Sequence, residues 1–70
     1  MNWPSIIKTL RERMFLSQSK FGSLLGVSYV TVSRWEGGQC SPHFSKRAKI
    51  IELCREHDVK LKEFIFIRKQ

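Results

Sequence analysis

The sequence predicts an all-α domain of five helices, and three observations carry that prediction. The strong helix breakers are four glycines and two prolines among 70 residues, and they bunch, leaving long uninterrupted stretches. Between the breaks, apolar residues recur at three- and four-residue steps, the spacing of one buried helical face. The later breaks carry Ser17, Ser28, Ser41-Pro42 and Asp58, residue types suited to begin a helix.

The elements follow in order. The first helix spans about 4–14, with Ile6, Ile7, Leu10 and Met14 on one face and Pro4 in the first turn, where its missing N–H costs nothing. Phe15-Leu16 leads to Ser17, whose hydroxyl caps a second helix over 18–25 that buries Phe21, Leu24 and Leu25. Gly26 ends it, because a left-handed residue after a helix costs glycine little. Val27 plugs the turn, and Ser28 caps a third helix reaching Trp35 or Glu36. Val32 and Trp35 share its inner face, leaving Tyr29, Val30, Ser33 and Arg34 outside. Gly37-Gly38 stops it. Ser41-Pro42 opens a fourth helix to about His57, with Phe44, Ala48, Ile51 and Cys54 inward and Ile50 and Leu53 flanking. Asp58 caps a fifth holding Leu61, Phe64 and Ile65. The β-branched and aromatic run at 64–67 also suits a short strand.

Residues 1–70 form one domain, with a functional motif at 17–36 and an apolar segment at 59–70 suited to dimerisation or to a protein partner. Thirteen Lys and Arg against six Asp and Glu give a formal charge of +7, which points to a polyanionic partner, nucleic acid or an anionic membrane surface. Met1-Asn2-Trp3-Pro4 lacks the layout of a secretory signal, and no apolar run reaches membrane-spanning length. A cytoplasmic protein with free thiols at Cys40 and Cys54 is expected, with no membrane partner.

Residues 17–36 read as two short helices joined by a tight glycine turn, a helix-turn-helix. Gly22 falls where the two helices cross, so a side chain there would push them apart. What remains outward on the second helix is small, polar or basic, and fits a major groove about 12 Å wide. The fork of Arg34 matches the two acceptors on a guanine edge, with a phosphate or Glu36 as its other outlets. Val30 can press on a thymine methyl. Ser28 and Thr31 can donate to phosphates or simply cap. Lys20, Lys46, Arg47 and Lys49 are candidate phosphate neighbours.

Leu10-Arg11-Glu12-Arg13, Ser17-Gln18, Phe21-Gly22, Leu25-Gly26-Val27-Ser28 and Val32-Ser33-Arg34-Trp35-Glu36-Gly37-Gly38 stand in order and without gaps. Through them the stretch 6–53 resembles the phage-repressor-like (Xre/Cro-type) helix-turn-helix family. The resemblance implies a five-helix, lambda-repressor-like domain that binds double-stranded operator DNA as a symmetric homodimer, as a transcriptional regulator and more often a repressor. It implies that Gln18 holds a phosphate, and that Tyr29, Val30, Thr31, Ser33 and Arg34 reach bases or nearby phosphates. It makes Arg11 and Glu36 a buried structural ion pair. Two departures stand out: Lys20 replaces the usual acidic residue three after the cap, and Cys40-Ser41 replaces basic residues. Small relatives also include antitoxins that bind a toxin and repress their own operon, a role needing an apolar partner surface such as the C-terminal segment.

Other chemistries lack parts. Cys40/His43 and Cys54/His57 have a spacing seen in zinc sites, but the two histidines stand roughly 20 Å apart along one helix, so both pairs cannot close on one ion. No catalytic residue, metal or cofactor is expected: paired carboxylates, a phosphate-cradling loop and a nucleophile with its base are all missing.

Overall fold

The computed structural model describes residues 2–61 and forms α1 (Trp3–Arg13), α2 (Gln18–Leu25), α3 (Tyr29–Glu36) and α4 (Phe44–Glu56), with no strand among the described residues. Each helix begins on a side chain that accepts from its first turn. Asn2 Oδ1 takes the Ser5 N–H at 3.4 Å, Ser17 Oγ that of Lys20 at 3.1 Å, and Ser28 Oγ that of Thr31 at 3.3 Å. His43 Nδ1 does the same for Ser45 at 3.2 Å. These bonds satisfy backbone donors that have no partner within the helix.

The four helices also end alike. In each, an N–H two or three residues past the helix end reaches back to the carbonyl five residues earlier, in the pattern of a Schellman motif. The bonds are Leu16 to the Arg11 carbonyl at 3.1 Å, Val27 to Gly22 at 2.8 Å, Gln39 to Arg34 at 3.0 Å and Val59 to Cys54 at 2.8 Å. The motif needs a left-handed residue just before each of these. Gly26 and Gly38 supply it without strain, whereas Phe15 and Asp58 adopt it at φ 58° each. Leu16, Val27 and Val59 then turn their side chains onto the core, so three of the four chain reversals are also packing sites.

The core gathers Ile6, Ile7 and Leu10 from α1, Phe21 and Leu25 from α2, Val32 and Trp35 from α3, and Ile50, Leu53 and Cys54 from α4. Helix α3 packs against both α1 and α2, and α1 packs against α4. Each large side chain taken out of water contributes roughly 1.5–3 kcal/mol, set against the cost of ordering it. Trp3 closes one side, buried beneath the Arg47 guanidinium, whose carbon lies 5.3 Å from the ring centre.

Several sequence expectations are corrected. Helix α4 starts at Phe44, two residues later than the Ser41-Pro42 opening. Pro42 is fully buried and its carbonyl accepts from Arg47 Nε at 2.8 Å, so it plugs the core and the extended His43 behind it becomes the cap. The inward stripe of α4 is Ile50, Leu53 and Cys54. Of the expected set Phe44, Ala48, Ile51 and Cys54, Ala48 is exposed, Ile51 half-buried and Phe44 exposed at 72%. Both sets have helical spacing, and only docking against α1 separates them. Leu24, expected inside, is half in solvent because Phe21 and Leu25 already occupy the face toward α1 and α3. Asp58 ends α4 in a left-handed conformation and so does not cap a fifth helix. Phe64, Ile65 and the alternative strand at 64–67 lie outside the described residues.

Candidate nucleic-acid interface

The face of interest is the outer side of α3. Its eight residues divide by the helical period: Val32 and Trp35 point into the core, Thr31 and Glu36 lie at the margin, and Tyr29, Val30, Ser33 and Arg34 are exposed. Tyr29 is 59% and Val30 40% exposed, so neither is absorbed by the molecule's own packing. The division follows from the sequence, because the two large apolar side chains three residues apart can be buried together only by turning the other four out.

The turn that aims α3 is tight for a specific reason. A Cβ added at Gly22 would lie 2.6 Å from the Val27 carbonyl oxygen and 3.2 Å from Ser28 backbone atoms. The close approach is therefore between α2 and the turn leading into α3. Gly26, left-handed at φ 74°, reverses the chain immediately afterwards.

The far end of α3 is held by an ionic network. Arg11 Nε donates to Glu36 Oε2 at 2.6 Å and Arg11 Nη2 to Oε1 at 3.0 Å, a two-pronged pairing. The third nitrogen, Nη1, donates to the Leu16 carbonyl at 3.0 Å. Gln18 Nε2 adds a bond to Glu36 Oε1 at 3.2 Å. The pair is largely shielded, with 17% and 8% of the two side chains accessible. Loss of water pushes the Glu36 carboxyl up, but the bonds from Arg11 and Gln18 and the charges of Arg11 and Lys8 outweigh this and hold it below its ordinary value. The hydrogen bond to Glu36 raises Arg11 in turn, against the opposing effect of burial.

The remaining candidate residues fall into two groups. Lys20 and Arg34 are exposed with side chains free of partners among the described residues. Arg34 and Glu36 stand two residues apart on α3, so their side chains leave the helix on different sides, and Glu36 is held by Arg11 and Gln18. The second group is used by the fold. Lys46 Nζ donates to the Leu25 carbonyl at 3.0 Å, placing its charge at the negative C-terminal end of α2. Arg47 is committed to Pro42 and Trp3, and Lys49 lies 3.4 Å from Glu52. Ser28 Oγ caps α3 and sits 3.3 Å from Thr31 Oγ1, so these two hydroxyls satisfy each other.

Sequence reasoning passed over Trp3, Lys8 and Phe15. Trp3 stands at the very start of α1, one turn before Ile6 and Ile7, and continues their buried face. Lys8 needed the approach of α1 to Glu36 to acquire meaning. Phe15 is 94% exposed, and only its backbone angle reveals why the chain turns there. Burial raises the Cys54 thiol above its ordinary value, in keeping with a packed apolar group, whereas Cys40 is exposed.

Among the described residues no helix is long and apolar enough to cross a membrane. No family model matches the chain, and no curated protein or solved structure matches it.

Proposed function

We propose that this chain is a sequence-specific regulator of transcription, a repressor of the phage-repressor-like (Xre/Cro-type) helix-turn-helix kind, that lays α3 in the major groove of duplex DNA. The observation that carries the reading is the outer face of α3. Tyr29, Val30, Ser33 and Arg34 are exposed together, while Val32 and Trp35 anchor the same helix in the core. Arg34 is exposed and its side chain has no partner among the described residues, so its fork is open to a base edge. Gln18 stands at the start of α2 with one amide hydrogen on Glu36 and the second available to a phosphate.

The net charge of +7 supplies the attraction that every duplex shares. One short helix touches few base pairs, so the protein acts as a homodimer in the cytoplasm, on half-sites about 34–36 Å apart. Selection from random duplex DNA tests this directly. A palindromic consensus is the expected result, with log affinity falling linearly against log salt. Equal, weak binding to all duplexes at physiological ionic strength overturns the reading.

A second reading, an antitoxin-type protein that also binds a toxin, is favoured by the surface positions of Phe15 and Phe44. It predicts that Phe44→Ser spares DNA selection but abolishes a stoichiometric protein complex.

A further inference from the structure

The exposed face of α3 is two rows, each one helical turn long: Tyr29 with Ser33, and Val30 with Arg34. The polar groups available to bases are fewer than the sequence suggests, because the Ser28 and Thr31 hydroxyls are 3.3 Å apart and Ser28 also caps the helix. The Val30 row begins with a side chain that can offer only methyl groups, 40% exposed at the first turn of α3. In the major groove the only apolar group on a natural base edge is the thymine 5-methyl; every other edge presents donors or acceptors. A donor or acceptor driven against Val30 loses water and gains no partner, a penalty of roughly tenfold in affinity.

Resting on the DNA-binding reading, we infer that the Val30–Arg34 row reads a thymine and a guanine two base pairs apart within each half-site. Val30 packs on the thymine methyl, and Arg34 donates to the guanine O6 and N7. The spacing comes from geometry. Four residues of helix advance about 6 Å, and successive base pairs advance about 3.4 Å.

The test uses the site recovered by selection and alters single atoms of it. Replacing the thymine with deoxyuridine removes only the methyl, and a loss of about fourfold is expected for the unaltered protein. With Val30→Ala the same replacement has a much smaller effect. 5-Methylcytosine at that position, which restores the methyl, binds better than cytosine. 7-Deazaguanine at the partner position lowers affinity roughly tenfold for the unaltered protein but little for Arg34→Ala. A selected site that binds deoxyuridine and thymidine equally, or that has no guanine two base pairs from the sensitive thymine, overturns the inference while leaving DNA binding intact. Failure to select any duplex overturns both. The base analogues need no variant protein, so they decide the matter even if Val30→Ala proves unstable.

Discussion

Arg11 closes its guanidinium on both carboxylate oxygens of Glu36, at 2.6 and 3.0 Å, and so ties the last turn of α1 to the last residue of α3. A third bond from the same guanidinium reaches the Leu16 carbonyl in the turn before α2. One side chain therefore fixes three segments that pack around the candidate interface, and its removal leaves a shielded carboxylate without its main partner.

Arg11→Ala is expected to lower unfolding free energy by about 3 kcal/mol, because it strands Glu36 in a site that water reaches poorly. Glu36→Gln should cost less, and the double variant less than the sum of the two. The pH dependence follows in sign from the depressed Glu36 carboxyl, whose ordinary value is 4.5. Its contribution is complete above that value and is lost as pH falls through the lower folded-state value. Denaturant midpoints measured from neutral pH downward should decline below about 4.5, and Glu36→Gln should flatten that decline. An identical acid limb in the two proteins would show that the pair contributes nothing.

Phe15 pays for the α1–α2 turn with its backbone. It holds φ 58° with 94% of its side chain in solvent, so it incurs left-handed strain and gains no packing. Relief of about 1–2 kcal/mol of strain exceeds the roughly 0.5–1 kcal/mol of entropy that glycine adds to the unfolded chain. Phe15→Gly should therefore add a net of about 0.5–1 kcal/mol of stability, read as a higher urea midpoint at unchanged slope. A lower midpoint would mean that the ring makes a contact that matters.

Gly22→Ala inverts the usual effect of this substitution inside a helix, where alanine ordinarily gains about 1 kcal/mol. The new Cβ would lie 2.6 Å from the Val27 carbonyl oxygen, a backbone atom that cannot swing aside. Forcing α2 away from the turn should cost about 2 kcal/mol. Thermal unfolding of the variant checks the sign, and an increase in melting temperature would refute the close approach.

Lys46 separates a role in the fold from a role at a phosphate. Its ammonium caps α2 through the Leu25 carbonyl at 3.0 Å. Lys46→Ala should thus lower stability by about 1 kcal/mol in the absence of any DNA. A lysine that served only a phosphate would leave the DNA-free melting curve unchanged.

Much of this molecule was legible in local chemistry. Ser17 and Ser28 as caps, Gly26 as a left-handed stop, and Val32 with Trp35 as the inner face of α3 depend on neighbours within one or two turns. The outward set on α3 followed from the same period. Helix α4 was different, because Phe44, Ala48 and Ile51 and the set Ile50, Leu53 and Cys54 both fit a helical face, with only the latter buried. Periodicity alone cannot rank two apolar stripes on one cylinder.

The one-dimensional pattern determined where helices run, how α2 and α3 begin, and which residues α3 turns outward, since these are matters of backbone donors and helical period. Tertiary structure alone decided the rest. It chose the buried stripe of α4, made Pro42 a core plug, and spent Lys46 and Arg47 on carbonyls of their own chain. It also gave Glu36 to Arg11 and Gln18. The physical reason is that charge pairing and face selection are settled by distances between segments far apart in sequence, which no local spacing encodes.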